Sequence, residues 1–106
     1  MKRDGIMDMN KQEILDRLRE NERALRERGV THAALFGSRA RGDNRPDSDI
    51  DIMIEIAPDA VQDVYDYVGL KNYIADLFTG SVDVVDREAL KSYVRPAATA
   101  DAVYAY

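Results

Sequence analysis

A chain of 106 residues with 45% hydrophobic content has material for one core and no room for a second, so a single domain over residues 1–106 is expected. It contains no cysteine, which excludes a disulfide framework, a thiolate metal site and a thiol nucleophile. A net charge of −5 argues against the broad basic face of a nucleic-acid binder. Residues 1–10 are too polar for a signal peptide and no apolar run approaches the roughly 18 residues of a membrane span, so a soluble, intracellular protein is expected.

The first element is a helix. Asn10 caps it, with Glu13 three residues on completing a capping box. Ile14, Leu15, Leu18 and Leu25 form a narrow apolar stripe on an otherwise charged helix that should stop at Gly29. Such a stripe is a packing surface. Residues 30–36, Val-Thr-His-Ala-Ala-Leu-Phe, are largely apolar, begin with two β-branched residues and predict a strand that breaks at Gly37-Ser38. His32 stands alone in it, and a metal site needs several converging ligands, so its reading is structural.

Gly37 allows backbone angles closed to other residues and a close approach to a ligand, while Ser38 adds a hydroxyl donor. If residues 39–41 begin a helical turn, its free N–H groups suit a phosphate, and Arg39, Arg41 and Arg45 add positive charge around it. From residue 49 to 56 the chain alternates strictly. Ile50, Ile52, Ile54 and Ile56 fall on one face; Asp49, Asp51, Met53 and Glu55 fall on the other. Residues i and i+2 of a strand sit roughly 6.5 to 7 Å apart, so Asp49 and Asp51 can converge on a hard cation. Two bare carboxylates that close repel each other, and Mg²⁺ is the natural counter-charge.

Pro58 marks a second helix start, with Val61, Val64, Tyr65, Val68, Ile74, Leu77 and Phe78 as its core positions, Gly69 as a kink or division and Gly80 as its close. Residues 81–86 alternate again, with Val82 and Val84 on one face and Asp83 on the other. A lone acid on a strand is ordinarily a surface residue; here Asp83 is the candidate third carboxylate. Asp86 points the other way and caps the segment that begins at Arg87. Tyr104 and Tyr106 close the chain as packing residues or as contacts to a partner.

Asp-x-Asp by itself is common on exposed strands and turns. Gly37-Ser38, ten residues, then Asp49-Ile50-Asp51 resembles the signature of the nucleotidyltransferase superfamily that includes DNA polymerase β. More narrowly, residues 36–54 resemble the minimal nucleotidyltransferases, the MNT antitoxins paired with HEPN toxins in prokaryotes; the later Val-Asp-Val-Val and a short C-terminal segment also fit. The resemblance implies an α/β fold, a small mixed β-sheet flanked by helices on a polymerase β palm-like core. It implies two Mg²⁺ ions held by Asp49, Asp51 and Asp83 as the catalytic carboxylates, and ATP phosphates held by Gly37 and Ser38 with Arg39 and Arg41. Larger relatives carry extra domains that grip their acceptor; this chain shows none, so the expected acceptor is a partner protein. The implied activity is cytoplasmic transfer of AMP to a tyrosine of a HEPN toxin, without direct nucleic-acid or membrane binding. The alternatives are adenylylation of a small hydroxyl compound and a non-catalytic antitoxin that acts by occlusion.

Overall fold

The computed structural model describes residues 9–45, 47–90, 92–93 and 95–106. Residues 1–8, Pro46, Lys91 and Val94 lie outside that set. Asn10 opens α1 (Lys11–Glu20) with the expected capping box. Its side chain accepts the Glu13 amide at 2.8 Å, and the Glu13 carboxylate accepts the Asn10 amide at 2.8 Å. Ile14, Leu15 and Leu18 are buried. The single helix expected up to Gly29 is two: the chain breaks at Asn21 and resumes as α2 (Glu22–Glu27), which buries Leu25. Asn21 leaves helical geometry at φ −103° and ψ 10°, and its side-chain amide donates to the Arg17 carbonyl at 2.8 Å. Asparagine side chains compete with the helical ladder in this way.

The remaining elements are β1 (Val30–Phe36), α3 (Ser38–Arg41), β2 (Ile50–Ile56), α4 (Val64–Ala75), β3 (Val82–Asp86), α5 (Arg95–Asp101) and β4 (Val103–Tyr104). The strands make one mixed sheet in the order β3-β2-β1-β4. β1 runs antiparallel to β2 and β4, while β2 and β3 are parallel and are joined through α4, as parallel neighbours require a long crossover. This is the small mixed sheet with flanking helices that the motif implies.

The isoleucine alternation decides which face is core. Ile50, Ile52 and Ile54 pack with Val84 of β3, with Ile14, Leu18 and Leu25 of the first two helices, and with Leu70 and Ile74 of α4. In β1 the register shifts by one residue between Val30 and His32. This bulge puts Val30 in the core with Ala33 and Leu35, and turns His32 and Ala34 to the opposite face. That face is not wholly open. Ala34 and Met53 are register partners and both are buried, and α5 packs on β1 with Ala98 buried. Met53 thus lies on the face the alternation assigns to it, but shielded from solvent.

Four expectations for α4 are corrected. The helix starts at Val64, capped by Asp63, whose carboxylate accepts the Asp66 amide at 2.9 Å, and not at Pro58, because Asp59 takes φ 67° and breaks any helical run from there. Val64, Tyr65 and Val68 are 64%, 82% and 48% exposed instead of core, since Leu70 and Ile74 form the buried side. Gly69 does not divide the helix, which runs through it and ends at Ala75, capped at Asp76, rather than at Gly80. Asp86 does cap the short turn Arg87–Ala89, accepting the Glu88 amide at 3.0 Å.

Arginines of the first two helices tie the layers together. Arg17 donates to the Leu77 carbonyl, Arg19 donates to the Ala105 carbonyl at 3.0 Å, and the Arg26 guanidinium lies 4.8 Å from the centre of the Tyr106 ring. Tyr106 is therefore a packing residue; its hydroxyl donates to the Val30 carbonyl at 3.2 Å, and burial pushes its phenol up to about 12.

Leu18 is fully buried while the Asn10 cap is at the surface. Leu18→Ala is expected to cost about 2–5 kcal/mol and Asn10→Ala about 1 kcal/mol in urea unfolding. A cap variant as costly as the leucine variant would contradict this placement of the core.

Candidate functional site

β1 ends at Phe36, and the chain turns into α3 through Gly37, at φ 75° and ψ −154°. A Cβ at Gly37 would stand 2.4 Å from Oδ2 of Asp51. The sheet itself causes this approach, because Phe36 and Asp51 are register partners. On its other side Asp51 is the register partner of Asp83 in parallel β3. The turn, Asp51 and Asp83 thus stand in a row across three strands on one face, with adjacent strands roughly 4.8 Å apart. Asp49 is exposed immediately before β2. The amide of Ile50, between the two acids, donates to the Ser81 carbonyl at 2.9 Å, which fixes the start of β2 against β3.

Asp51 is half-buried, and its carboxyl is pushed above the usual range, first by burial and then by the charges of Asp83 and Asp49; Arg39 and Arg41 pull it down in part. The row is a concentration of hard oxygen donors whose mutual repulsion is incompletely offset by the protein, and that chemistry fits Mg²⁺. Among the described residues, no three histidine, aspartate or glutamate side chains converge tightly enough, as they stand, to form a ligand cluster. Asp51 and Asp83 are the pair that the backbone register sets side by side.

The basic residues of the loop divide into two kinds. Arg39 is buried, 5% exposed, and its guanidinium donates to the Ser48 and Met9 carbonyls. It thereby ties α3 to the loop that leads into Asp49. Arg41 is exposed; it donates to Asp43 at 3.1 Å and to Asp101 of α5 at 2.8 Å, and those two carboxylates hold its guanidinium above its ordinary pKa. Ser38 is the first residue of α3, and its carbonyl accepts the amides of Gly42 and Asp43 at 2.8 and 3.1 Å. Lys11 donates to the Ala40 carbonyl at 3.2 Å, so α1 also holds this loop.

Sequence reading missed three sets of contacts on the elements that carry the site. Asp101 engages Arg41 from 60 positions away, which no local pattern signals. Tyr104 donates to the Glu55 carboxylate at 2.9 Å, with the His32 ring edge-on at 6.1 Å, further along the same sheet face; only the Glu55 side of that contact was legible, from the alternation. Tyr67 of α4 has its phenol pushed up, first by burial and then by Asp86, while a hydrogen bond to the Asp86 backbone acts against the shift and Asp83 adds a further rise. The helix therefore runs beside the strand that carries Asp83.

Residues 12–105 match the family model described as the nucleotidyltransferase domain. The chain is 32% identical over 94 residues to the protein adenylyltransferase MntA of Thermococcus cleftensis, covering 88% of this chain and 93% of that protein. A solved structure described as a minimal nucleotidyltransferase superposes with a TM-score of 0.66 at 27% identity, covering 90% of this chain and 95% of that one. A complex of a tri-AMPylated Shewanella oneidensis HEPN toxin with its MNT antitoxin has the same fold at 19% identity and a TM-score of 0.60, covering 87% of this chain and 71% of that one.

Gly37 and Gly80 both have positive φ, 75° and 87°, but a Cβ at Gly80 would meet nothing within 4 Å. Gly80→Ala carries only the backbone cost of a left-handed residue, about 1 kcal/mol. Gly37→Ala must also push the Asp51 carboxylate away, so its loss in denaturant unfolding is expected to be clearly larger. Equal losses would show that the two groups do not share space.

A carboxylate with a raised folded pKa binds its proton more tightly when folded, so stability falls as pH rises from the unfolded value through the raised one. In metal-free protein the cost therefore grows as pH rises above the ordinary carboxylate range. Asp51→Asn should therefore melt higher than the parent at pH 7 in a chelator, with the gap closing near pH 4. A lower melting temperature at pH 7 would contradict the crowding.

Proposed function

This chain belongs to the nucleotidyltransferase domain family, and from that membership we propose that it is a Mg²⁺-dependent protein adenylyltransferase that moves AMP from ATP to a tyrosine hydroxyl of a HEPN-family toxin, acting as its antitoxin. The observation that carries the reading is the row in which the Gly37 turn, Asp51 and Asp83 are placed side by side by register. The names of the relatives support the acceptor class: one is a protein adenylyltransferase, and one neighbour is an MNT antitoxin with its AMPylated HEPN toxin. We read residues 1–106 as one such domain.

The reaction joins the acceptor oxygen to the α-phosphorus of ATP and breaks the bond from that phosphorus to the oxygen bridging it to the β-phosphorus, which leaves with pyrophosphate, while the hydroxyl proton passes to solvent. Asp49, Asp51 and Asp83 would hold the metal. When bound, Mg²⁺ neutralises the phosphate oxygens and stabilises both the entering and the leaving oxygen. The Gly37 turn lets the triphosphate approach the backbone closely, and Ser38 adds its hydroxyl donor. Arg41, exposed on α3, exchanges Asp43 and Asp101 for phosphate oxygens, whereas Arg39 acts from beneath by holding the loop in shape. Asp83, exposed on the edge strand β3, faces the incoming acceptor. The cytoplasm, where ATP and Mg²⁺ are abundant, is the setting we assign; among the described residues no helix is long and apolar enough to cross a membrane.

The test is the mass of the toxin. Incubated with this protein, ATP and Mg²⁺, the HEPN partner should gain whole AMP units on tyrosine and stay inactive as an RNase after denaturing separation and refolding. Asp51→Asn and Asp83→Asn should each lower the rate by at least 100-fold, while Ser38→Ala should chiefly weaken ATP binding. A toxin of unchanged mass that recovers once separated would replace this reading with neutralisation by occlusion.

A further inference from the structure

The sheet register brings a further acid beside the phosphate turn. Val103 of β4 is the register partner of Leu35, and α5 ends at Asp101 two residues earlier, level with the Gly37 turn on the side away from Asp51. There the Asp101 carboxylate accepts Nη1 of Arg41 at 2.8 Å, while Asp43 accepts Nε at 3.1 Å. Arg41 is close enough to the site for its charge to act on Asp51. Two carboxylates on one guanidinium make a net negative group, and they occupy two of the three nitrogens with which an arginine grips phosphate.

Asp101 is poorly placed for an acid on its own account. The C-terminal end of a helix favours cations, yet α5 has no basic residue in its last turn and ends on this aspartate. Among the described residues its hydrogen-bond partner is Arg41, 60 positions away, so the pair ties the end of α5 to the phosphate turn. Asp43 differs. It lies two residues from Arg41 on the same loop and is 62% exposed, so it can move with the arginine. Asp101 is 32% exposed and is carried by α5, which packs on β1 with Ala98 buried. A phosphate can reach it, but it cannot follow Arg41.

We propose that Asp101 competes with the triphosphate for Arg41. It holds the guanidinium until the phosphates arrive, yields it to them, and takes it back from pyrophosphate after transfer, so it sets how tightly the site grips nucleotide and releases product. This rests on the ATP reading of the site. Asp101 touches no reacting atom; it acts through Arg41. Once phosphate holds the guanidinium, the aspartate faces the negative end of its own helix unpaired. The last turn of α5, closed by the Ala102 amide on the Thr99 carbonyl at 3.2 Å, then loosens.

The experiment uses the full chain, with calorimetric binding of two probes in the presence of Mg²⁺: pyrophosphate and a non-hydrolysable ATP analogue. Asp101→Asn keeps the shape of the side chain and removes its charge. It should bind both probes about two- to fivefold tighter, the size expected for an exposed ion pair. In an Arg41→Gln background the same substitution should leave both affinities nearly unchanged. In the parent, bound analogue should speed hydrogen exchange at the Ala102 amide.

Weaker binding by Asp101→Asn would overturn the proposal and make Asp101 a brace that orients Arg41 for phosphate. Equal tightening in the Arg41→Gln background would also overturn it, since general repulsion would then explain the gain. An Ala102 amide that analogue leaves unchanged or protects would overturn it whether or not the variants fold. These failures, in a parent that binds both probes, leave the ATP reading standing. A parent that binds neither probe would overturn the ATP reading and this proposal with it.

Discussion

The site depends on one close approach: the carboxylate of Asp51 occupies the space that any side chain at position 37 would need. The antiparallel register of β1 and β2 forces it, because the last residue of β1 lies opposite Asp51 and the chain must turn immediately afterwards. Only a residue without a Cβ makes that turn at φ 75° with an acid beneath it. The parallel register of β2 and β3 then adds Asp83 on the far side. The Gly37 turn and the two carboxylates are thus placed by hydrogen-bonded pairing alone, before any side-chain contact is considered.

The rest of the chain keeps that row from relaxing. Crowded carboxylates push apart, and the sheet that bears them is held by apolar packing on its isoleucine face and by α5 on the other. α3 and the loop that leads from it to β2 are held from three sides, by Arg39 to the Ser48 carbonyl, by Lys11 to the Ala40 carbonyl and by Arg41 to Asp101. Charge that would be surface ornament in another context is used here to fix backbone. The Asp51 carboxyl is pushed above its ordinary range first by burial and then by the charges of Asp83 and Asp49.

The sheet and the acids were legible because they depend on a period of two that is written locally: four isoleucines alternate with Asp49, Asp51 and Glu55, and Val82 and Val84 flank Asp83. The Asn10 capping box and the Asp86 cap were legible for the same reason, since each is complete within four residues. Longer-range effects were not. The bulge between Val30 and His32 changes which face each β1 residue takes, and a run of Ala-Ala-Leu carries no alternation to reveal it. The break at Asn21 depends on a single side chain bonding backward, where the apolar stripe continued across it. Val64, Tyr65 and Val68 have helical spacing and were read as core, because spacing reports a face and not what covers it. Arg39 and Arg41 look alike in sequence, yet one is buried as a brace and the other is exposed.

The most direct measurement is a crystal structure of this protein soaked with Mn²⁺ and a non-hydrolysable ATP analogue, with the anomalous signal locating the ions. The account predicts ions ligated by carboxylate oxygens of both Asp51 and Asp83 at about 2.0 to 2.4 Å, with the triphosphate against the Gly37–Ser38 turn. Ions that bypass Asp83, or a nucleotide seated away from that turn, would contradict it.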